Sequence, residues 1–181
     1  MPSLRFLHAL GGEDDAERAP VAWGVELDHA AGDPSPAAEY ALTSVQLVGQ
    51  ARVIDREGLR ASFLFQLEAV DFDVEDLNVP APNASSHLTI GPGVGLELGM
   101  PIAGPFEVYG RGTFSTMLHP STSARGELGL RYSVQDTLRV FTGYRWWRYR
   151  YEEDSGPFGL SDELDVDIAT EGLLVGMEIS F

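Results

Sequence analysis

The sequence predicts an all-β protein, an eight-stranded antiparallel up-and-down transmembrane β-barrel. Three observations support this prediction. Apolar and polar residues alternate along most of the 181-residue chain, and a period of two indicates strands, since successive strand side chains point to opposite faces. Short and long breaks follow one another between these segments, as in a barrel with one short-turn end and one long-loop end. The 20 Gly and 11 Pro residues argue against a helical bundle.

Residues 1–19 are predicted to be an N-terminal tail or an extra strand at 3–10, and residues 20–181 to be the barrel domain. The first four strands each place apolar side chains on one face and end in turn-forming residues. Pro92 interrupts the fourth strand, which is tolerated near a rim or a bulge. The four strands are predicted at 21–28, before a break at 32–40; at 41–54, before the tight turn 55–58; at 59–74, before a loop at 76–86; and at 88–100, before the short turn 101–105.

The second half of the barrel continues the same pattern. Its polar faces are rich in glycine and in single charges of both signs, while its apolar faces run over several alternating positions. The strands are predicted at 106–118, 125–134, 137–151 and 171–181, separated by a modest loop at 119–123, a turn at 134–137 and a long acidic loop at 153–167.

The last strand has the cleanest alternation. Gly172, Gly176 and Glu178 share one face, on which Leu174 is the one apolar exception. The opposite face is wholly apolar and ends in an aromatic residue, the type that is enriched at membrane interfaces. This face is therefore predicted to contact lipid. The predicted lipid-facing residues are Leu173, Val175, Met177, Ile179 and Phe181.

This closing strand with its terminal Phe, together with the alternation and the turn pattern, resembles the small OmpA/OmpX-type outer-membrane barrels over roughly residues 20–181. The resemblance implies a location in the outer membrane of a Gram-negative cell envelope. It also implies contact with membrane lipid and lipopolysaccharide, and insertion by the barrel-assembly machinery. The role that it implies is structural or adhesive, or that of a barrel beside an envelope protein partner whose identity is not predicted.

Charges on the polar face predict what fills the barrel. An eight-stranded barrel is just wide enough to be filled by side chains, and buried charges persist only when they are paired and hydrogen-bonded. Pairing the strands through their turns places Glu107 opposite Glu97 and near Arg131, and Arg131 near Arg139. A balanced set predicts a closed, salt-bridged lumen; the simpler alternative is a solvated outer face of a soluble barrel. The predicted lumen network is Glu26, Arg52, Arg60, Glu97, Glu107, Arg111, Glu127, Arg131, Arg139, Arg145 and Glu178.

Composition and residue spacing limit the partners and the types of site that the chain can have. The formal net charge of −16 and the pI of about 4.4 repel nucleic acid, so no nucleic-acid partner is predicted. The absence of Cys excludes disulfides, thiolate metal sites and Cys nucleophiles. The four His residues show neither HxH nor HExxH spacing. Ser115 or Ser121 near His119 is the nearest approach to a lipase-like site, and it lacks a motif, so no enzyme is predicted.

No cofactor is predicted, and the sequence leaves a metal site unknown. The acidic stretches 71–76 and 152–167 supply carboxylates that would bind Ca²⁺ or Mg²⁺ weakly, since these ions prefer oxygen ligands. Such ions would bridge the loops to lipopolysaccharide phosphates. A solvated acidic loop is the simpler interpretation of both stretches.

Two alternative functions stay open. A soluble lipocalin-like barrel that binds an apolar small molecule is favoured by the start of the sequence, which lacks the apolar core of a signal peptide. A narrow channel is the second alternative. No apolar run approaches the about 18 residues that a transmembrane helix needs, so a membrane location rests on strands alone. The ligand and the oligomeric state are not predicted.

Overall fold

The computed structural model describes residues 1–10, 21–35, 38–56, 58–76, 85–118, 121–135, 137–152 and 165–180. In this part of the chain nine β-strands close into one barrel, and there is no helix long and apolar enough to cross a membrane. In chain order the strands β1 to β9 are Pro2–Leu10, Val21–Ser35, Ala38–Arg56, Leu59–Asp76, Ser85–Ala103, Phe106–Thr116, Ser121–Gln135, Leu138–Glu152 and Asp165–Ser180.

The closed barrel confirms that the fold is an all-β, mostly antiparallel barrel, but the prediction of eight strands, all antiparallel, is wrong. The ninth strand is β1, which the sequence marks only as a candidate, because its nine residues lack a clean apolar stripe. Each strand pairs antiparallel with the next one along the chain. With an odd number of up-and-down strands the first and last run in the same direction, so β1 and β9 close the barrel as a parallel pair.

The strands also extend further toward the long-loop end than predicted. The break predicted at 32–40 is mostly strand, since β2 reaches Ser35 and β3 begins at Ala38. A register shift between Gly32 and Ser35 accommodates the turn-forming residues there. β9 begins at Asp165 rather than at 171. The apolar stripe fades in these extensions, which is why alternation did not reveal them. At the opposite end, Gly58 and Gly104 take positive φ in two of the short turns.

Exposure alternates along the strands, with the polar face turned inward. In β8 the neighbours Arg145, Trp146 and Trp147 are 1%, 49% and 1% exposed. In β9 Leu173 is 76% exposed, whereas Glu178 is 2% exposed. Large apolar side chains are exposed on every strand from β2 to β9, so the outer wall is apolar all round.

The interior has two layers. Toward the long-loop end it is apolar and aromatic, and Phe72 packs there against Tyr149 and Tyr151 with ring centroids 5.4 and 5.2 Å apart. Below this layer the interior is mainly ionic, with a small buried cluster of Tyr109, Phe141 and Leu174 among the charges. We call the first the aromatic layer; its buried residues are Ala30, Leu42, Val70, Phe72, Met117, Trp147, Tyr149 and Tyr151.

Candidate functional site

The ionic lumen is built by strand alternation. Every second residue of several strands points inward, and the cationic ones are all arginine because the chain has no Lys. Arginine suits buried pairing because its planar fork donates to two carboxylate oxygens at once. Five arginines and five acids are buried among the described residues: Arg5, Arg111, Arg125, Arg131 and Arg145 with Glu26, Asp28, Glu68, Glu127 and Glu178.

Asp28 holds together the upper part of this network. It accepts a hydrogen bond from Arg145 Nη1 at 2.6 Å and from Arg125 Nη1 at 3.2 Å. Gln46 Nε2 donates to the same carboxylate at 3.0 Å. Arg125 also pairs with Glu68. Two guanidinium groups from different strands therefore depend on one buried carboxylate.

Glu127 and Glu26 hold the next level. Arg145 Nε donates to Glu127 at 2.9 Å, and Arg5 Nη2 donates to the same side chain at 2.5 Å. Glu26 accepts from Arg111 Nη1 at 2.6 Å, and its carboxylate lies 3.6 Å from Arg5 Nε. We call these two levels together the central cluster: Arg5, Glu26, Asp28, Glu68, Arg111, Arg125, Glu127 and Arg145.

A second set of charges lies closer to the short turns. Arg131 lies 2.7 Å from Glu107, 3.1 Å from Glu97 and 3.8 Å from Glu178. Arg60 and Arg139, whose side chains are 43% and 30% exposed, bind the outer oxygens of Glu107 and Glu178 at 3.0 and 2.8 Å. A cavity of about 50 Å³ lies among these side chains. We call them the turn-end cluster: Arg60, Glu97, Glu107, Arg131, Arg139 and Glu178.

Three buried guanidinium groups also stack on rings. The guanidinium carbon lies 4.4 Å from the ring centre of Phe141 for Arg5, and 4.5 Å from that of Tyr109 for Arg131. For Arg125 above Trp147 the distance is 4.0 Å. The Nε atoms of these arginines have no hydrogen-bond acceptor among the described residues. The ring faces add favourable electrostatic contact to the carboxylates that these arginines already bind.

The ladder registers differ in part from those expected. Glu107 lies opposite Arg131 and Arg111 opposite Glu127. Glu97 lies opposite Arg111 rather than Glu107, because β5 continues beyond Pro101 and a register shift follows it. The predicted Glu97–Glu107 opposition is therefore wrong.

Two further placements agree with the prediction to within two residues. Arg139 lies opposite Ser133, two residues from Arg131, and both arginines contact Glu178. Arg52 Nη1 binds the exposed Asp55 at 2.8 Å, a carboxylate that also lies 3.8 Å from Arg60, and Arg52 lines the cavity at the turn-end cluster.

Four members of the central cluster were missing from the predicted network: Arg5, Asp28, Glu68 and Arg125. Asp28 follows Glu26 by two residues on the same polar face, and Glu68 and Arg125 lie on equally regular polar faces, so alternation alone was a sufficient signal. Arg5 lies on β1, which was only a candidate strand, and its lumen position could not be predicted. Of the predicted lipid-facing residues, Val175 is 64% and Met177 37% exposed, and Ile179 is partly buried. Phe181 lies outside the described residues.

The described residues give little support to the predicted lipase-like and metal sites. Ser115 is buried and accepts a hydrogen bond from Gln66 Nε2 at 2.8 Å, while His119 lies outside the described part. His29 Nδ1 lies 3.1 Å from Thr43 Oγ1 at the outer surface. No group of three or more His, Asp or Glu residues in the described ranges is arranged to hold a metal ion. The acidic stretch 152–167 falls mostly outside them, so the Ca²⁺ or Mg²⁺ prediction stays open there.

Comparisons with protein-family models, with curated proteins and with solved structures found no match to this chain.

Proposed function

We propose that the chain is an integral outer-membrane β-barrel whose lumen is closed by salt bridges, with a structural or adhesive role or a role beside an envelope partner. One observation carries this proposal: the faces of the wall are inverted relative to a barrel that functions in water. Arg5 and Arg145 are 1% exposed inside, whereas Phe65 is 57% and Leu96 51% exposed outside.

The extent of the apolar wall supports the proposal. Soluble monomers rarely expose contiguous apolar patches larger than a few hundred Å², since each Å² left in water costs about 25 cal/mol. Here the exposed apolar side chains surround the barrel. On β5 the outward positions from Leu88 to Ile102 are apolar throughout. That stretch exceeds the roughly 9–11 residues with which a tilted strand crosses a membrane.

The packing of the lumen supports the closed form over a narrow channel. An open pore needs a continuous water-filled path, but Arg145, Glu127 and Arg5 bind one another across the centre. Above them the side chains of Trp147 and Tyr149 are almost completely buried. A planar-bilayer recording with the reconstituted protein tests this directly. We expect no unitary current steps, and regular steps would favour the channel.

One observation favours the soluble lipocalin-like alternative. The aromatic layer is the kind of lining that an apolar ligand requires, and Leu42 and Phe72 are completely buried in it. Directly below, however, Asp28, Glu68 and Arg125 occupy the interior, so a ligand would have to displace packed side chains. The apolar outer wall has no explanation in this alternative.

Fluorescence quenching in vesicles tests the membrane location. A variant with Trp23→Phe and Trp147→Phe retains outward-facing Trp146, and one with Trp23→Phe and Trp146→Phe retains inward-facing Trp147. In phosphatidylcholine vesicles with brominated acyl chains we expect strong quenching of Trp146 and little of Trp147. Circular dichroism checks that both variants keep their strands. A protein that stays folded and monomeric in detergent-free buffer, with neither residue quenched by vesicles, would overturn the proposal.

A further inference from the structure

A groove runs across the outer wall from β4 to β8. It encloses about 680 Å³ and is lined almost entirely by carbon. Gly112 and Ala124 form its floor, and Leu96, Phe114 and Trp146 form its sides. Elsewhere the outward positions of these strands carry mostly large side chains, so this depression is a local feature of the wall.

The orientation of Trp146 shapes one end of the groove. Trp146 lies opposite Gly126 in the β7–β8 ladder. A Cβ added to Gly126 would lie 2.2 Å from Trp146 Nε1, so the indole rests directly on the glycine backbone. Gly126 thus allows the ring to lie flat along the wall. The indole remains 49% exposed and borders the groove over its length.

Two arginines stand at the same end of the groove. Arg148 lies opposite Ala124 in the ladder and follows Trp146 by two residues on the outer face, about 7 Å along the strand. Arg150 follows by two more. Their side chains are 55% and 46% exposed. They are therefore outward-facing cations beside an apolar depression, in a chain whose other described barrel arginines mostly point into the lumen.

Asp167 holds both guanidinium groups in place. It accepts from Arg148 Nε at 2.9 Å and Nη2 at 2.5 Å, and from Arg150 Nη2 at 3.1 Å. The Nη1 groups of both arginines lie outside this contact. Glu171, the next outward acid on β9, lies opposite Trp146 in the β8–β9 ladder.

We propose that this groove and the Arg148–Arg150 pair bind one phosphate-bearing membrane lipid, with an acyl chain along Trp146 and the phosphate on the Nη1 groups that Asp167 does not contact. The inference rests on the proposed membrane location. Charge complementarity selects this occupant, because a phosphate accepts two guanidinium donors at once, and a hydrocarbon chain matches the apolar groove. A second copy of the chain would match the groove but would leave the excess positive charge, two arginines against the single Asp167, without a counter-ion.

The test uses detergent-solubilised, delipidated protein in maltoside and native mass spectrometry. The probes are dioleoyl phosphatidylglycerol, dioleoylglycerol, which has the same chains without phosphate, and inorganic phosphate alone. We expect one phosphatidylglycerol to be retained about ten-fold more tightly than dioleoylglycerol, and no retention of inorganic phosphate. Equal retention of both lipids, or binding of phosphate alone, would overturn the proposal.

Two variants test the two halves of the site. Arg148→Gln with Arg150→Gln should lower phosphatidylglycerol affinity about ten-fold, and Arg56→Gln, at an exposed arginine near the short turns, is the matched control that should not. Gly112→Leu with Ala124→Leu should fill the groove and abolish selective retention. The backbone tolerates it, since a Cβ on Gly112 would meet its nearest atom only at 3.9 Å. Thr142→Leu, on the outer face of β8, is the control for added bulk.

The outcomes separate this inference from the function on which it rests. If Trp146 is quenched in brominated vesicles and Trp147 is not, but the arginine and groove variants bind lipid as the wild type does, the lipid site is wrong and the membrane location stands. If neither tryptophan is quenched, both are wrong. If the groove variant converts a dimer to a monomer without changing lipid retention, the groove is an interface between copies and the lipid site is wrong.

Discussion

The central cluster and the turn-end cluster use the same chemistry in different surroundings. In the central cluster Asp28 and Arg145 have side-chain exposures of 1% each, and their partners are equally buried. In the turn-end cluster the outer arginines, Arg60 and Arg139, reach solvent with exposures of 43% and 30%. A buried charge has lost its hydration and depends on its counter-charge. At an exposed pair, water can replace the lost partner. Similar ion pairs should therefore differ several-fold in their effect on stability.

The largest effect is expected at Asp28. Asp28→Ala removes the shared acceptor of Arg125 and Arg145 and leaves buried positive charge uncompensated, which typically costs about 3–5 kcal/mol. Urea unfolding in detergent micelles, followed by tryptophan fluorescence, measures the loss. Asp28→Asn keeps an acceptor oxygen and should fall between wild type and the alanine variant.

The matched control for this variant is Asp55→Ala. Asp55 also binds two arginines, Arg52 at 2.8 Å and Arg60 at 3.8 Å, but its side chain is 52% exposed. We expect a change of no more than about 1 kcal/mol there. Equal losses for the two aspartates would show that burial does not decide the strength of these pairs.

An intermediate effect is expected at Arg131, the buried centre of the turn-end cluster. Arg131→Ala removes contacts to Glu97, Glu107 and Glu178. Arg60 and Arg139 still bind two of these acids, so we expect about 2–3 kcal/mol, below the usual range for a broken buried pair. Thermal unfolding in micelles measures it. Arg131→Lys should recover only part of the loss because lysine lacks the planar fork. An unchanged melting profile in the alanine variant would contradict a stabilising network.

The smallest effect is expected at Arg60, where the guanidinium is half in solvent. Arg60→Gln should cost less than about 1 kcal/mol. This difference should vanish in 1 M NaCl, where the screening length falls to about 3 Å. The Asp28→Ala difference should persist in the same salt, because buried pairs are screened much less. If 1 M NaCl removes the stability losses of both Arg60→Gln and Asp28→Ala, or of neither, burial does not distinguish the two clusters.

The sequence predicts the features that depend on neighbouring residues better than those that depend on distant strands. Alternation is local, and it gave the all-β barrel and the side chains that share a face, such as Leu173 and Val175 opposite Glu178. Registers depend on bulges, which alternation does not reveal, so Glu97 was placed opposite the wrong residue. β1 was missed as a full member of the wall because a short strand with Pro2, Ser3 and Arg5 has too weak a stripe. Its pairing is decided by the neighbouring β2 and by β9, which is far away in sequence.

The parallel β1–β9 pair has a consequence for the order of assembly. The Met1 amino group donates to the Leu173 carbonyl across a separation of 172 residues, and the Val175 N–H donates to the Met1 carbonyl across 174. Contacts this distant form slowly because the loop-closure entropy is lost before any pairing compensates for it. The nascent wall should therefore exist first as an open, curled sheet ending in β9. Completion of the cylinder then depends on the capture of the nine-residue β1 by β9.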